Sequence, residues 1–199
     1  MNFKISKRVF YSALNTVSRA ISSNSPLPAL SGIKIEVNQD SIVLTGSDSD
    51  ISIQTTLKGS DEEINLIVKE TGSIVIEAKY ILEIVRKIDA DEIELEIVDG
   101  SLTKISGMSA EFRINGMRAL DYPAIDFTRP GQQFEMDADV LLKVISQTTF
   151  ATSDRETRPV LTGVNMKCSG KRLECVATDS YRLARKIVDL TSENNQPRA

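Results

Sequence analysis

The chain has 199 residues, of which 41 % are hydrophobic, and a formal net charge of −4 at neutral pH. This length allows one or two hydrophobic cores. The sequence contains no histidine, so the commonest general base and the commonest metal ligand are both missing, which disfavours an enzyme. It shows no secretory segment, and no apolar run approaches the roughly 20 residues of a membrane span. We therefore expect a soluble, cytoplasmic protein with no membrane partner.

The first predicted unit is a strand, a helix and three further strands. Phe3-Lys4-Ile5 alternates apolar and polar residues, as a half-buried strand does. Ser6 stands at an N-cap position, and the apolar residues between Val9 and Val17 recur at the spacing of a helix with one buried face. A loop rich in Ser and Pro follows, from Ser22 to Pro28. Strands are then predicted at residues 32–37, 41–45 and 51–57.

A second, looser copy of this unit follows an acidic connection at residues 61–63. Its strand is predicted at 74–76, its helix at 78–88, and its later strands at 92–98, 101–105 and 112–114. Asp99-Gly100 is the two-residue signal of a tight hairpin. Residues 121–131 are predicted to be a linker.

A third copy repeats the first at a constant offset and without a gap. Phe3 falls on Phe134, Pro28 on Pro159 and Asp48 on Asp179, and such a fixed period indicates a repeated structural unit. We predict a strand at 134–136, a helix at 139–149, a loop at 151–159 and strands from 161 to 190. A fourth unit, matching residues 74–127, is expected to complete the domain that the third copy begins, but it is not present in the sequence. We therefore predict a complete first domain at 1–127 and the first half of a second domain at 132–199.

Few residues in this chain suggest catalysis. Asp48 and Asp50 could hold a divalent cation, as a metal-dependent nuclease would require. The copy at Asp179 has Tyr181 in place of the second acid, so a turn-capping role for Asp48 and Asp179 fits both copies better. Cys168 and Cys175 are interpreted as buried thiols. No catalytic residue, metal ligand or cofactor is predicted.

Charge is distributed unevenly along the sequence. Residues 1–35 contain five basic residues and no acidic one. Basic positions also recur on the polar faces of the predicted helices, and helices lining one surface would form a cationic stripe there. The alternative explanation is that these are ordinary solvated helix faces. For each basic position taken by itself, that alternative is the better explanation. The basic positions on the three helices are Lys7, Arg8, Arg19, Lys79, Arg86, Lys87 and Lys143.

A mixed apolar and polar segment stands in the third copy, where strand alternation breaks. Tyr181-Arg182-Leu183 follows Thr178, and an Arg between a Tyr and a Leu is typical of a surface that grips a peptide. One more strand is the plainer alternative.

These residues resemble the bacterial β sliding clamps, the processivity subunits of DNA polymerase III. The resemblance rests on residues 1–5, on residues 26–32 and on Leu120-Asp121-Tyr122-Pro123. Above all, it rests on the octet from Ala177 to Ala184. It covers essentially all 199 residues.

The resemblance implies an α+β DNA-clamp fold of repeated strand-helix-strands units, with helices on one face of curved antiparallel sheets. It also implies a non-catalytic homodimeric ring that encircles double-stranded DNA when full-length. Such a ring would bind the catalytic subunit of DNA polymerase III, the clamp loader and other clamp-binding proteins through short peptides. The alternatives are a protein-interaction scaffold unrelated to DNA and, less favoured, the nuclease.

The resemblance also assigns roles to residues. Asn24 is uncharged where several relatives carry a basic residue, Ser180-Tyr181 replaces the Gly-His of some relatives, and Glu111 stands where relatives often have Arg. The implied roles are DNA contact for Lys7, Arg8, Asn24, Lys79, Arg86, Arg155 and Arg158, a partner-peptide pocket for Leu161, Thr178, Ser180, Tyr181, Arg182 and Leu183, and a ring interface for Phe112 and Ile114.

Overall fold

The computed structural model describes residues 1–22, 27–128, 135–155 and 157–194. The chain divides into two compact units, Met1–Asp126 and Phe127–Ala199, called unit 1 and unit 2 below. No helix among the described residues is long and apolar enough to cross a membrane.

Unit 1 contains two strand-helix-strands halves. Its first half comprises β1 (Asn2–Ser6), α1 (Lys7–Ser18), β2 (Gly32–Val37), β3 (Ser41–Ser47) and β4 (Ser52–Lys58). Its second half comprises β5 (Ile67–Glu70), β6 (Gly72–Glu77), α2 (Ala78–Lys87), β7 (Glu92–Asp99), β8 (Leu102–Gly107) and β9 (Ala110–Asn115). The predicted helices and strands are confirmed, and β5 is an additional strand.

The two halves interlock by exchanging the strand that precedes each helix, β1 in the first half and β6 in the second. One antiparallel sheet has the order β5-β1-β7-β8-β9, and the other has the order β4-β3-β2-β6. Ser6 pairs with Glu92, and its counterpart Glu77 pairs with Gly32. Each half thus supplies the strand that completes the sheet of the other, so neither sheet is complete from one half alone.

The core of unit 1 lies between these sheets and the two helices. Phe10 and Leu14 of α1 are fully buried in the same apolar cluster as Ile81 and Val85 of α2, because both helices repeat apolar residues on one face. Burial of one such side chain stabilises the fold by about 1.5–3 kcal/mol. α1 packs so closely on β3 that a Cβ at Gly46 would lie 2.3 Å from the carbonyl oxygen of Val17, which only glycine tolerates.

Unit 2 repeats the first half of unit 1. It contains α3 (Ala138–Thr148), β10 (Asn165–Thr178) and β11 (Leu183–Asn194), with short 3-10 helices at Thr149–Ala151 and Pro159–Leu161. The pairing of Thr178 with Leu183 reproduces that of Ser47 with Ser52, the equivalent positions of the first copy. The helix predicted at 139–149 is therefore confirmed, and so are the later strands, although the first of them begins at Asn165 and not at residue 161.

The strand predicted at 134–136 is not formed in the part that the structure describes. Phe134 lies outside the described residues, and Glu135 and Met136 belong to no strand. The equivalent strand β1 is held by pairing with β7 of the other half. The described residues of unit 2 include no counterpart of β7, so this segment has no strand to pair with.

Candidate functional site

The turn between β10 and β11 is organised by one carboxylate. Oδ1 of Asp179 accepts hydrogen bonds from the backbone N–H groups of Tyr181 and Arg182, both at 2.9 Å, and its Oδ2 accepts one from Nε of Arg182 at 2.9 Å. Ser180 lies between them with a φ of 77°, a left-handed conformation that few non-glycine residues adopt. The turn therefore fixes the direction in which the next two side chains leave the backbone.

The charge of Asp179 is favoured by this arrangement. The N–H groups of Tyr181 and Arg182 lower its pKa below the usual value, and the Arg182 guanidinium acts in the same direction. The carboxylate therefore stays ionised through the neutral range, and Arg182 stays tethered to it.

The same turn occurs in unit 1, around Asp48. Its Oδ1 accepts the N–H groups of Asp50 and Ile51 at 3.0 and 2.8 Å. Ser49, like Ser180, has a left-handed φ, here 85°. The prediction that Asp48 and Asp179 cap turns is confirmed, and among the described residues no group of three His, Cys, Asp or Glu is placed to hold a metal ion.

A cavity of about 670 Å³ lies beside the turn of unit 2. Four of the predicted pocket residues line it. Thr178 stabilises the turn beside the cavity. Its Oγ1 donates to the carbonyl oxygen of Arg182 at 2.7 Å and accepts from the N–H of Ser180 at 3.2 Å. Leu183 is 65 % exposed and does not line the cavity. The lining consists of Thr152, Ser153, Asp154, Arg155, Thr157, Arg158, Leu161, Asp179, Ser180, Tyr181 and Arg182.

This cavity is called the turn pocket below. Its rim is cationic and aromatic. Arg182 lies over the ring of Phe150, 5.8 Å from its centroid, and Tyr181 is 92 % exposed. Nη1 of Arg158 is 3.5 Å from the Ser180 hydroxyl. With Leu161 in the lining, the pocket offers an apolar contact beside charged donors, the combination that anchors a peptide side chain and its neighbouring carbonyl or carboxylate groups.

Some residues of the turn pocket were missed or assigned differently from sequence. Arg155 and Arg158, predicted to contact DNA, line the same pocket as the predicted peptide-binding residues. No role was predicted for Phe150. An exposed aromatic residue just after an amphipathic helix is a signal that could have identified it as part of this site.

The solvent faces of α1 and α2 carry the other predicted site. Lys79 and Arg86 are exposed and two helical turns apart on α2, a spacing that places them on one helix face. Arg8 is exposed on α1 and pairs with Glu63 at 2.9 Å, while Arg86 is 3.5 Å from Glu83. Asn24, the remaining loop candidate, lies outside the described residues.

Lys7 has a structural role that the sequence did not indicate. Its ammonium group donates a hydrogen bond to the carbonyl oxygen of Ile88, at the end of α2, and its backbone N–H donates to the backbone carbonyl oxygen of Asp91 at 2.8 Å. A cation at a helix C-terminus is favoured by the helix dipole. Lys7 thus joins the two helices and is only partly exposed.

Phe112 and Ile114 lie on β9, which ends the five-stranded sheet. Phe112 is 38 % exposed and Ile114 is half-buried. The outer edge of β9 pairs with no other strand among the described residues.

Comparison with known proteins identifies the class of fold. The family described as the N-terminal domain of the DNA polymerase III beta subunit matches residues 1–126, and the family described as its central domain matches residues 135–199. The structure is similar to that of the Bacillus subtilis DNA polymerase sliding clamp, with a TM-score of 0.94, 38 % identity and coverage of 100 % of this chain and 52 % of that one. It is equally similar to the Streptococcus pneumoniae DNA polymerase III beta chain, with a TM-score of 0.94, 33 % identity and coverage of 98 % and 52 %. The predicted α+β clamp fold is confirmed.

Sequence relatives agree with this fold. The beta sliding clamp of Halalkalibacterium halodurans is 41 % identical over 198 residues, which cover 98 % of this chain and 52 % of the relative. The chain thus spans about half the length of the relatives it matches. It belongs to the DNA polymerase III beta subunit family.

Proposed function

We propose that this chain forms the N-terminal half of a sliding clamp, a non-catalytic subunit that keeps a replicative DNA polymerase on duplex DNA. Its first domain would be residues 1–127, and residues 132–199 would begin the second. The observation that carries the proposal is the match of both units, in order, to successive domains of the beta subunit family.

The helix surface suits weak contact with DNA. α1 and α2 pack side by side beneath solvent faces that carry Arg8, Lys79 and Arg86. Two of these three cations are already paired with carboxylates, so their attraction to phosphate is moderated. Such a lining favours a ring that encircles and slides along DNA over one that grips it, and it reconciles DNA binding with a net charge of −4.

The turn pocket would receive partner peptides, with Leu161 as an apolar contact and Tyr181 and Arg182 at the rim. Thr178 and Ser180 hold the turn in place, and Leu183 extends the exposed apolar surface. The polymerase catalytic subunit, the clamp loader and other clamp-binding proteins are the proposed partners. The free edge at Phe112 and Ile114 would pair with a second subunit and close a homodimeric ring in the full-length protein. The ring would work in the cytoplasm.

The DNA-facing surface is tested by charge reversal in a full-length clamp that carries this sequence. We expect Lys79→Glu with Arg86→Glu to shorten retention on circular DNA, with a larger loss at low than at moderate salt, because phosphate contacts depend on salt. The matched control is Lys58→Glu with Lys171→Glu, which reverses two exposed cations on strands and should leave retention unchanged.

Three results would contradict the proposal. Equal losses in both double variants would show that only net charge matters. Equal retention of the unaltered protein on circular and linear DNA would favour a scaffold unrelated to DNA. Metal-dependent DNA cleavage that disappears in Asp48→Ala with Asp50→Ala would favour a nuclease.

A further inference from the structure

A smaller cavity, of about 290 Å³, lies in unit 1 beside its own Asp48 turn. One wall is formed by Leu30, Ser47, Ser49 and Ser52, and the other by residues 123–126. Its volume is just below that of ligand pockets, which span roughly 300–1,000 Å³, so it suits a single side chain.

The first wall repeats the proposed peptide pocket of unit 2. At the offset that places Phe3 on Phe134, Leu30 corresponds to Leu161, and the three serines correspond to Thr178, Ser180 and Leu183. The local hydrogen bonds are also repeated. The N–H of Ser49 donates to Oγ of Ser47 at 3.1 Å, as the N–H of Ser180 donates to Oγ1 of Thr178 at 3.2 Å. Leu161 and Ser180, which line the turn pocket, therefore have counterparts that line this cavity, and so do Thr178 and Leu183, which do not line the turn pocket.

The second wall is fixed to unit 1 by the residues that precede it. Tyr122 is buried beside Leu30 and Val75, and its hydroxyl donates to the carbonyl oxygen of Thr45 at 3.5 Å. Burial raises the pKa of Tyr122 to about 12, so the hydroxyl remains a neutral donor. Arg118 and Asp121 form a two-bond ion pair just before it. Residues 123–126 thus follow directly after a segment that is fixed to unit 1. Both walls of the cavity therefore lie within unit 1.

The charge beside this cavity is the opposite of that in the turn pocket. Asp50 and Ile51 occupy the positions equivalent to Tyr181 and Arg182. Asp126 is part of the lining, and no Lys or Arg is among the described lining residues. Asp50 is exposed on the turn, next to the lining residue Ser49, and adds negative charge there. A bound peptide with a basic residue next to the side chain in the cavity is therefore favoured over one with an acidic residue there.

We infer that unit 1 carries a second peptide-binding site, which takes one small aliphatic side chain flanked by a basic residue. Pro123 and Ile125 provide the apolar contacts beside the buried Leu30. Ser49 and Ser52 provide hydrogen bonds to the peptide backbone, while the buried Ser47 holds them in place. Asp50 attracts the basic flank. The inference rests on the proposed function in taking the turn pocket as its template, but the cavity itself belongs wholly to unit 1.

The test is a titration of the 199-residue chain with the peptide acetyl-Gly-Lys-Val-Lys-Gly-amide, followed by NMR signals assigned separately to each unit. We expect saturable shifts at Leu30, Ser49 and Ile125. Ser52→Trp should fill the cavity and weaken this binding at least tenfold. Leu183→Trp, the matched change at the equivalent position of unit 2, should leave the unit 1 shifts unchanged.

A second variant guards against a folding effect of the tryptophan. Asp50→Lys alters an exposed side chain, and it should weaken binding of the lysine peptide at least fivefold while favouring the same peptide with glutamates in place of lysines. The site is refuted if the NMR signals of Leu30 and Ile125 do not shift with peptide, or if only signals of unit 2 respond. It is also refuted if the Leu30 and Ile125 signals shift unchanged in both Ser52→Trp and Asp50→Lys. Because the units are read separately, a failure of the turn pocket to bind polymerase peptides would not be mistaken for a failure here.

Discussion

Helix α1 buries Phe10 and Leu14 completely, whereas their counterparts in α3, Leu141 and Ile145, are 36 % and 42 % exposed. The two helices have the same length to within one residue and the same strand pairing after them. The difference lies in what covers them. α1 packs against α2 of the second half, whereas the described residues of unit 2 provide no second helix of this kind.

This contrast separates local from tertiary determinants of the fold. The repeated apolar pattern is enough to form the helix and to seat its inner residues, since Ala13 in α1 and Val144 in α3 are both buried. Burial of the remaining apolar positions depends on a partner half, because a half of this kind exchanges strands and helix contacts with another.

The largest expected difference between the units is in the cost of truncating equivalent side chains. Leu14→Ala should destabilise unit 1 by about 2–5 kcal/mol, because it leaves a cavity in a closed core. Ile145→Ala should cost unit 2 about 1 kcal/mol or less, since that side chain is already partly hydrated. Urea titrations followed by NMR signals from each unit measure both values, and comparable costs would contradict the description of α3 as uncovered.

A second expectation concerns the exposed face of α3. Exposed apolar residues that a partner half would bury favour association, so the 199-residue chain should self-associate as its concentration rises. Leu141→Glu with Ile145→Glu should weaken this association at least tenfold. Sedimentation equilibrium measures it, and Ser146→Glu with Gln147→Glu is the control of equal charge on polar positions of the same helix. Equal effects of the two pairs would locate the association elsewhere.

The two turns should respond alike to acid. The folded-state pKa values of Asp48 and Asp179 are lowered below 3.8, chiefly by backbone N–H groups. Their contribution to stability is therefore fully present above the unfolded-state pKa and is lost as pH falls through the folded value. Asp48→Asn and Asp179→Asn should destabilise their units at neutral pH, and the difference from the unaltered chain should be lost as pH falls through the folded-state pKa of each aspartate.

Salt distinguishes these two turns. Asp179 also pairs with Arg182, at 2.9 Å, whereas Asp48 has no basic side chain within its turn. The effect of Asp179→Asn should decrease more with added salt. Thermal unfolding at low and high salt provides the measurement, and identical salt dependence would assign the Arg182 pair no energetic role.

The smallest expected effect is at the left-handed serines. Ser49→Gly and Ser180→Gly relieve an unfavourable φ but increase the freedom of the unfolded chain, so each should change stability by only about 0.5 kcal/mol. Because φ is 85° in one turn and 77° in the other, the two changes should agree in sign. Opposite signs in unfolding experiments would show that the turns differ in strain.

Sequence patterns predicted most of the secondary structure because apolar spacing and turn residues act locally. The constant offset between the first and third copies even predicted that Asp48 and Asp179 would cap equivalent turns. Strand exchange between halves was not predictable in this way, and for that reason Glu135 and Met136, at the end of the strand expected at 134–136, belong to no strand. The roles of Lys7 at the end of α2 and of Tyr122 beneath Leu30 depend on contacts between distant segments, which no local pattern contains.

Hydrogen exchange at matched helices tests most directly the claim that unit 1 is a closed pair of halves and unit 2 an uncovered one. Amides from Phe10 to Val17 and from Leu141 to Thr148 are compared in the same sample. We predict that exchange in α1 is at least roughly 100-fold slower than in α3, since α1 can open only when its whole core opens. Equal protection of the two helices at low protein concentration would contradict this account.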